Sequence, residues 1–185
     1  MTKTEARKLA KACRAAVDLH TVGHAMAEVL FTLPAWQHAD TVLAFASMPD
    51  EPDTADILRQ ALAEGKRLLL PRVLSRTEMD WVEITALSQL QPGTYGILEA
   101  PASLPAFNTA HLGDGALALI PCLAASPDGV RLGRGGGYYD RFLAHYKGRR
   151  LLVCPTAALL GDLPCEGWDV RFSPHEILTE KGIFL

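Results

Sequence analysis

Short apolar runs alternate along this chain with segments whose apolar residues recur at helical spacing, and this alternation constrains the fold more than any other feature. The strand-like runs are Thr41–Ser47, Arg67–Val73, Met79–Ile84, Ala116–Ile120 and Leu151–Cys154. Apolar strands separated by helices are typical of a sheet that is covered on both sides. We therefore predict an α/β fold with a single domain over residues 1–185: an open, mostly parallel sheet with helices on both faces, in a three-layer α/β/α arrangement. The order of the strands is left open.

Four segments have the periodicity of amphipathic helices. They run from Thr4 to about Leu19, from Val22 to Leu33, from Asp53 to Glu64, and from about Tyr139 to Tyr146. In the first of these helices, Arg7, Lys11 and Arg14 are expected to share the side opposite to the apolar residues. The segment Gln91–Pro105 is rich in proline and glycine, so it is predicted to be a loop.

Composition argues against several classes of protein. The 185 residues are enough to bury a hydrophobic core, and the net charge is −3 without a long run of like charges, so a nucleic-acid partner is not expected. No apolar run approaches the ~20 residues that a membrane span needs, and the N-terminus lacks the apolar segment of a secretory signal. The four cysteines have no metal-ligand spacing and are interpreted as free thiols. We therefore expect a cytoplasmic protein without a membrane partner.

The segment Gly129–Arg141 contains four glycines within five positions, namely Gly133 and Gly135–Gly137. Glycine tolerates positive φ and lets backbone N–H groups converge on an anion. The segment follows the strand Ala116–Ile120, and ligands of open α/β sheets bind at the carboxyl ends of the strands. We interpret it as a phosphate-binding loop, which the N-terminus of the next helix would support.

The side chains around these glycines also favour phosphate chemistry. Arg131 and Arg134 can donate charge-assisted hydrogen bonds to phosphate oxygens, and Asp140 is a candidate ligand for Mg²⁺. The segment is not a Walker A loop, and Tyr138 stands where the last glycine of G-x-G-x-x-G is expected. A flexible surface turn is the alternative interpretation.

The segment Leu119–Leu143 resembles the core motif of the 5-formyltetrahydrofolate cyclo-ligase family, also called methenyltetrahydrofolate synthetases. In that motif an apolar strand and a proline precede R-L-G-x-G-x-G-[YF]-Y-D-R. Phe45–Thr54, Gly93–Pro101 and the C-terminal LPCEGWDVRF and ILTEKGI are similar to further family segments in the same order, so the resemblance covers nearly the whole chain. It departs at Ala125-Ser126, where the family usually has Phe-Asp, and at Pro155-Thr156, where it commonly has Gly plus an aromatic residue.

The resemblance implies the conversion of 5-formyltetrahydrofolate and ATP to 5,10-methenyltetrahydrofolate, ADP and phosphate, with Mg²⁺ as the cofactor. The formyl oxygen would attack the γ-phosphate, and N10 of the folate would then displace phosphate from the resulting imidate phosphate. Phosphorylation turns a poor leaving oxygen into a good one, which is why such a cyclisation should need ATP. Catalysis of this kind is mainly positioning and charge stabilisation, so no covalent nucleophile is expected.

The resemblance also implies which residues form the site. The expected ATP-binding residues are Lys3, Thr4, Glu5, Ala6, Arg7, Arg131, Leu132, Gly133, Arg134, Gly135, Gly136, Gly137, Tyr138 and Tyr139. The expected substrate-binding residues are Ala46, Glu51, Tyr95, Arg134, Gly135, Gly136, Gly137 and Tyr138. The expected magnesium ligands are Asp140 and Asp169, and the expected catalytic residues are Arg134, Tyr138 and Asp140.

Some of these assignments also have a physical reason of their own. Lys3 and Arg7 lie one helical turn apart, so both can reach one anion, although the pattern alone would indicate a solvated basic face. Glu51 can accept two hydrogen bonds from the aminopyrimidine edge of a pterin, although alone it would be interpreted as solvated. Tyr95 stands where the family tends to place an aromatic residue against the folate, and without that cue it is a loop tyrosine.

Two other classes of function stay open at this point. A regulatory protein could bind nucleotide or folate without turnover, and a sugar-phosphate isomerase or a CoA-transferase-like protein could share the α/β scaffold. The expected partners are the small molecules ATP and 5-formyltetrahydrofolate, and the expected oligomeric state is a monomer or a weak homodimer.

Overall fold

The helical segments of the sequence cover the two faces of the molecule, which a computed structural model describes over residues 1–93 and 97–184. Within these ranges the α-helices are α1 (Lys3–Ala15), α2 (Leu19–Thr32), α3 (Pro34–Gln37), α4 (Ala55–Ala63) and α5 (Tyr138–Leu143). Helix α1 begins with a capping box: Thr2 Oγ1 accepts a bond from the Glu5 N–H, and the Glu5 carboxylate accepts one from the Thr2 N–H.

The strands of the described ranges form one large sheet and two short ladders. Their bounds are β1 (Thr41–Leu43), β2 (Arg67–Val73), β3 (Met79–Ile84), β4 (Gln91–Pro92), β5 (Leu98–Glu99), β6 (Ala116–Pro121), β7 (Ala124–Ala125), β8 (Arg131–Leu132), β9 (Arg149–Val153), β10 (Ile177–Thr179) and β11 (Gly182–Ile183). The large sheet has the order β11-β10-β9-β6-β1-β2-β3. Its inner strands are parallel, and the edge strands β3 and β11 are antiparallel to their neighbours.

Successive residues of the inner strands enter two different hydrophobic cores. On β1, Val42 belongs to the core that contains Met26 of α2 and Ile57 of α4. Leu43, the next residue, belongs to the core that contains Ala6 of α1 and, from α5, Leu143. Because alternate side chains of a strand point to opposite faces, helices lie on both sides of the sheet. The predicted open, mostly parallel α/β sheet with helices on both faces is therefore confirmed.

Two predicted elements are shorter than expected for identifiable reasons. Helix α1 was predicted to reach Leu19 but ends at Ala15, because Asp18 caps α2 by accepting a bond from the N–H of His20. Strand β1 was predicted to reach Ser47 but ends at Leu43. Beyond it the Ala44 N–H still bonds to the Leu69 carbonyl of β2, but the carbonyl of Phe45 accepts a bond from Thr54 Oγ1 instead of from a neighbouring strand.

Short pairings in the second half of the chain were not predicted. The segment predicted to be the loop Gln91–Pro105 contains the β4–β5 ladder, and strands β10 and β11 extend the sheet at the C-terminal end. Each of these strands has two or three residues, which is too short to give a periodic pattern. Within the described residues, no helix has both the length and the apolar character needed to cross a membrane.

Arg14 occupies a position that contradicts the predicted polar face of α1. Ala6, Ala10 and Arg14 follow one another at intervals of four residues, and all three are buried, with Arg14 only 1% exposed. Residues four positions apart lie on the same face of a helix. Arg14 therefore belongs to the face that packs on the sheet, whereas Arg7 is half-buried and Lys11 is exposed.

Candidate active site

Two loops meet at the carboxyl edge of the sheet, where β1 and β6 lie side by side as parallel strands. The first loop, residues 44–54, follows β1 and contains Glu51. The second segment, residues 122–137, follows β6 and contains the glycine-rich stretch that ends at α5. Neighbouring parallel strands deliver their following loops to the same edge, which is where open α/β sheets bind ligands.

The glycine-rich stretch depends on two residues with positive φ. Gly135 has φ 103° and Gly137, which precedes the first turn of α5, has φ 67°. Side chains rarely adopt this region, so both positions favour glycine. The Arg7 Nε donates a hydrogen bond of 3.0 Å to the carbonyl of Gly133, which fixes the stretch against α1. The sequence motif and the N-terminal helix are therefore in direct contact.

Lys3 at the start of α1 is held by carboxylates from the C-terminal part of the chain. Its Nζ lies 2.9 Å and 3.2 Å from the two oxygens of Asp169 and 2.6 Å from Oε2 of Glu166. Partial burial acts to lower the pKa of Lys3, but the hydrogen bonds to the two carboxylates outweigh it and raise that pKa. Burial likewise opposes the shift at Asp169, yet the bond from Lys3 lowers the pKa of the Asp169 carboxyl.

Arg131 and Asp140 form a second ion pair beneath the glycine-rich stretch. The NH2 group of Arg131 lies 3.0 Å from each oxygen of Asp140, and its NH1 donates a bond of 3.0 Å to the carbonyl of Pro121. The Arg131 side chain is only 6% exposed. Within the described part of the chain its buried Nε has no hydrogen-bond partner. Arg131 thus connects the end of β6 to the first turn of α5.

Arg134 joins the glycine-rich stretch to the loop after β1. Its NH2 lies 2.9 Å from Oε1 of Glu51, its Nε lies 3.2 Å from the same oxygen, and it also pairs with the carboxylate of Asp50. Glu51 is only 8% exposed, and its Oε2 accepts a bond of 3.0 Å from the N–H of Met48. Burial acts to raise the pKa of Asp50, but the Arg134 guanidinium holds that pKa below its ordinary value.

The aromatic pair Tyr138 and Tyr139 has two separate environments. The hydroxyl of Tyr138 donates a bond of 2.8 Å to the carbonyl of Ser75, which lies in the turn between β2 and β3. Tyr139 lies edge-on to Trp81 of β3, with ring centroids 6.3 Å apart. Tyr138 thus ties the glycine-rich stretch to a neighbouring turn, while Tyr139 packs against the sheet.

The remaining predicted site residues differ in what their side chains can reach. Ala6 and Leu132 are buried in the core, so only their backbone groups could meet a ligand. Glu5 is engaged in the capping box of α1, and Thr4 is exposed. Ala46 is half-buried in the loop after β1. Tyr95 lies outside the described residues.

The two departures from the family pattern have local explanations. Ser126 is fully buried; its hydroxyl donates to the carboxylate of Asp128 and accepts a bond of 3.1 Å from the N–H of Val130. The negative charge that an aspartate would supply at position 126 therefore stands two residues later. At the second departure, Thr156 donates from both its backbone N–H and its hydroxyl to the carboxylate of Glu180. The polar side chains of Ser126 and Thr156 are thus both hydrogen-bonded.

Reasoning from sequence missed Asp50 and Arg14 as parts of this site. Asp50 shares Arg134 with Glu51, and Arg14 donates to backbone carbonyls at the bottom of the same loops. A signal for Arg14 was present, since it lies in register with Ala6 and Ala10 on the buried face of α1. Asp50 carried the weaker signal of a second acidic residue next to Glu51.

The predicted magnesium ligands suit a metal that is held mainly by phosphate. Asp140 and Asp169 are each paired with a cation, Arg131 and Lys3 respectively. No group of three or more His, Cys, Asp or Glu side chains arranged for a metal exists in residues 1–93 and 97–184. Mg²⁺ typically takes one or two carboxylates together with phosphate oxygens and waters. Two carboxylates near the glycine-rich stretch would fit that donor set if the stretch held a phosphate, whereas they do not by themselves form a metal site made of protein ligands alone.

Comparison with known proteins gives consistent results over most of the chain. A model of the 5-formyltetrahydrofolate cyclo-ligase family matches residues 2–180. The 5-formyltetrahydrofolate cyclo-ligase of Mycolicibacterium smegmatis is 30% identical over 151 residues, which cover 77% of this chain and 75% of that protein. The enzyme of the same name from Escherichia coli K12 is 30% identical over 154 residues, which cover 80% of this chain and 84% of that protein.

A solved structure extends the similarity to the fold. The NMR structure of Aquifex aeolicus 5,10-methenyltetrahydrofolate synthetase is 26% identical and has a TM-score of 0.83. The match covers 100% of this chain and 92% of that protein. The sheet order and the two loops at its carboxyl edge therefore belong to a fold that occurs in a named folate enzyme.

Proposed function

The chain belongs to the 5-formyltetrahydrofolate cyclo-ligase family, and from this premise we propose that it catalyses the ATP-dependent cyclisation of 5-formyltetrahydrofolate. The products are 5,10-methenyltetrahydrofolate, ADP and phosphate. The observation that supports this proposal best is the contact between Arg134 of the glycine-rich stretch and Glu51 of the neighbouring loop, at 2.9 Å. This contact supports the proposal because it brings the proposed phosphate-binding stretch next to the proposed pterin-binding carboxylate, as the transfer of phosphate to a formyl oxygen would require.

The proposed reaction has two chemical steps. The formyl oxygen forms a bond to the γ-phosphorus as the bond to ADP breaks, which gives an imidate phosphate. N10 then attacks the former formyl carbon, the bond between that carbon and the phosphate oxygen breaks, and the N10 proton is released as the ring closes. Both steps are favoured by holding the reacting atoms close together and by neutralising charge on the phosphoryl group.

The phosphate side of the proposed site consists of cations and backbone N–H groups. Arg7 lies against the Gly133 carbonyl, and Arg134 extends from the glycine-rich stretch, so both can donate charge-assisted bonds to phosphate oxygens. Lys3 would contribute its charge after exchanging part of its contact with Asp169 for the nucleotide. We propose that Arg134 and the N–H groups of residues 133–138 hold the transferring phosphoryl group.

The folate side of the proposed site is the nearly buried carboxylate of Glu51. Oε1 accepts two bonds from Arg134, at 2.9 Å and 3.2 Å, and Oε2 accepts one from the Met48 N–H, so Oε2 keeps a lone pair while Oε1 would have to exchange one Arg134 bond for a bond from the pterin. A pterin with adjacent N–H donors can use both oxygens at once. Because Arg134 contacts Glu51, the same guanidinium can border the formyl oxygen and the phosphoryl group. The half-buried Ala46 would form part of the wall of the folate site.

Tyr138 is proposed to keep the glycine-rich stretch closed over the reacting groups. Its hydroxyl is bonded to the Ser75 carbonyl in the β2–β3 turn, and the Arg141 guanidinium lies 5.3 Å from the centre of its ring. These contacts restrain the backbone that would meet both the phosphoryl and the formyl groups.

We propose Asp140 and Asp169 as the carboxylates that would hold Mg²⁺ together with the nucleotide. Bound there, the ion would neutralise charge on the phosphate oxygens. Arg131 pairs with Asp140 and Lys3 pairs with Asp169, and these contacts hold the two carboxylates in place. Binding would then require these carboxylates to share their oxygens between a cation of the protein and the metal.

The direct test is the absorbance of the methenyl product. Purified protein is mixed with 5-formyltetrahydrofolate and Mg²⁺, with and without ATP, and an ATP-dependent rise in absorbance is expected. Absence of that rise under all folate and ATP concentrations would contradict the proposal. Calorimetry with each ligand then separates the alternatives: binding of both without product would favour a regulatory protein, and turnover of a sugar phosphate or CoA ester without ATP would favour the third hypothesis.

Four further expectations belong with this proposal. We propose that residues 1–185 act as one functional domain, as a monomer or a weak homodimer, without a nucleic-acid partner. We also propose a cytoplasmic location, which is supported by the four free cysteines Cys13, Cys122, Cys154 and Cys165. Sedimentation of the purified protein tests the oligomeric state.

A further inference from the structure

Arg14 is a buried cation that the proposed reaction does not use. It is 1% exposed, and no carboxylate of the described residues forms an ion pair with it. Its guanidinium instead donates to three backbone carbonyls: Nε to Leu123 at 2.7 Å, NH1 to Asp50 at 2.7 Å, and NH2 to Cys122. A buried charge without an opposite charge is costly unless it is fully hydrogen-bonded. Arg14 therefore depends on these three backbone hydrogen bonds, which connect separate segments of the chain.

The three carbonyls belong to the two loops that form the proposed site. Asp50 is adjacent to Glu51, so the bond to its carbonyl fixes the backbone that presents the proposed pterin-binding carboxylate. Cys122 and Leu123 follow β6 and lead to the glycine-rich stretch; the Leu123 N–H donates a bond of 2.7 Å to the carbonyl of Leu132. One guanidinium therefore sets the separation between the bases of both loops.

The two loops are also connected through their side chains, by a different arginine. There the side chains of Asp50 and Glu51 accept bonds from Arg134. The loop after β1 is thus held at the backbone by Arg14 and at its side chains by Arg134. Moving the backbone of Asp50 would change the distance from Glu51 to the glycine-rich stretch directly.

We propose that Arg14 is a positioning residue that sets the geometry of Glu51, and hence of the folate, relative to the phosphate-binding stretch. The inference rests on the proposed function. Arg14 touches neither substrate; it acts through Glu51. A lysine cannot replace it fully, because the planar guanidinium directs five donors in fixed directions, whereas an ammonium group offers one donor atom on a flexible stem.

The first experiment compares Arg14→Lys with Arg59→Lys, a control at an exposed arginine of α4 on the opposite face of the sheet. Arg14→Lys is expected to raise the KM for 5-formyltetrahydrofolate about tenfold and the KM for ATP less than twofold. Arg59→Lys is expected to change neither. Equal increases in both KM values, or a lowered Tm with unchanged KM values, would overturn the proposal.

The second experiment separates positioning from general loss of structure by combining Arg14→Lys with Glu51→Gln. If Arg14 acts through Glu51, Arg14→Lys should cause little further rise of the folate KM in the Glu51→Gln protein. If the two effects multiply instead, Arg14 acts independently of Glu51 and the proposal fails. Arg14→Met would leave three backbone carbonyls without their donor and can unfold the protein. The test therefore uses Arg14→Lys.

Failure of this inference can be distinguished from failure of the proposed function. A wild-type protein without ATP-dependent product contradicts the proposed function. If the wild type is active but the effects of Arg14→Lys and Glu51→Gln on the folate KM multiply, only the proposed role of Arg14 is contradicted. The same four proteins can also be compared by calorimetry. Their dissociation constants for 5-formyltetrahydrofolate show whether the two substitutions act together, without any need for turnover.

Discussion

The guanidinium of Arg134 donates a hydrogen bond of 2.9 Å to Oε1 of Glu51, although the two residues lie 83 positions apart in the chain. This bond places the charge of the glycine-rich stretch against a carboxylate that is only 8% exposed. The two charges satisfy each other in the free protein. Under the proposed function, a folate bound here would have to offer N–H donors to Glu51 and a phosphorylated oxygen to Arg134 in place of their mutual bonds.

Glu51→Gln tests the folate side of this pair. Hydrogen bonds to charged groups contribute about 1.5–3 kcal/mol, so we expect the KM for 5-formyltetrahydrofolate to rise about tenfold or more. The KM for ATP should change less than twofold. Steady-state absorbance assays measure both values, and Glu28→Gln, at an exposed position on α2, is the matched control. A selective rise of the KM for ATP would show that Glu51 serves the nucleotide instead.

Asp140→Asn tests the proposed magnesium carboxylate. The amide oxygen can still accept one bond from Arg131, but the buried guanidinium loses its carboxylate partner, so the free energy of unfolding should fall by about 1–3 kcal/mol. The lost negative charge should raise the Mg²⁺ concentration that gives half-maximal activity about tenfold. Titration of activity with Mg²⁺ measures this midpoint, and Asp162→Asn, in an exposed loop, is the control. An unchanged midpoint would leave Asp140 with a structural role as the partner of Arg131.

The glycine-rich stretch is the part of the candidate site with the strongest signal in the sequence. Its signal is local, because the glycines, the arginines and Asp140 lie within one short segment, and the chain order of strand, stretch and helix follows from periodicity. Positive φ at Gly135 and Gly137 is consistent with that interpretation. The layers of the sheet could be predicted for the same reason, since alternation and helical spacing are properties of single segments.

Contacts between distant segments could not be predicted from the sequence. The pairing of Arg134 with Asp50 and Glu51, and of Lys3 with Asp169, depends on which loops share an edge of the sheet. The strand order that decides this was open at the sequence level. Arg14 was misplaced because a charged residue was assigned to solvent, although its register with Ala10 put it on the buried face.

Ser126→Ala tests the first departure from the family pattern through stability. The hydroxyl of Ser126 is buried and satisfies the N–H of Val130, so its removal leaves a buried donor without a partner. We expect the free energy of unfolding to fall by about 1–3 kcal/mol. Urea denaturation measures this change, and Ser103→Ala, at an exposed position, should alter it by less than about 0.5 kcal/mol. Equal effects of both substitutions would show that the Ser126 hydroxyl has no special role.

The ion pair between Lys3 and Asp169 predicts how stability depends on pH. The pKa of Asp169 is lowered in the folded protein, so its contribution is present above the ordinary pKa of about 4 and is lost as the pH falls through the folded value. The pKa of Lys3 is raised, so its contribution is present below about pH 10 and is lost as the pH rises through the folded value. Both contributions are therefore fully present near neutral pH.

Asp169→Asn should remove the part of the loss of stability at acidic pH that comes from Asp169. We expect the wild-type protein to lose more stability than the variant between about pH 5 and pH 3, because only the wild type takes up a proton at position 169 on unfolding. Urea unfolding midpoints at pH 3, 5 and 7 give the comparison. Asp162→Asn, at an exposed position, should keep the wild-type slope. If the stability of both proteins falls equally with pH, the ion pair with Asp169 does not stabilise the fold. Glu166, which is 2.6 Å from Lys3 Nζ, would then be the main partner of Lys3.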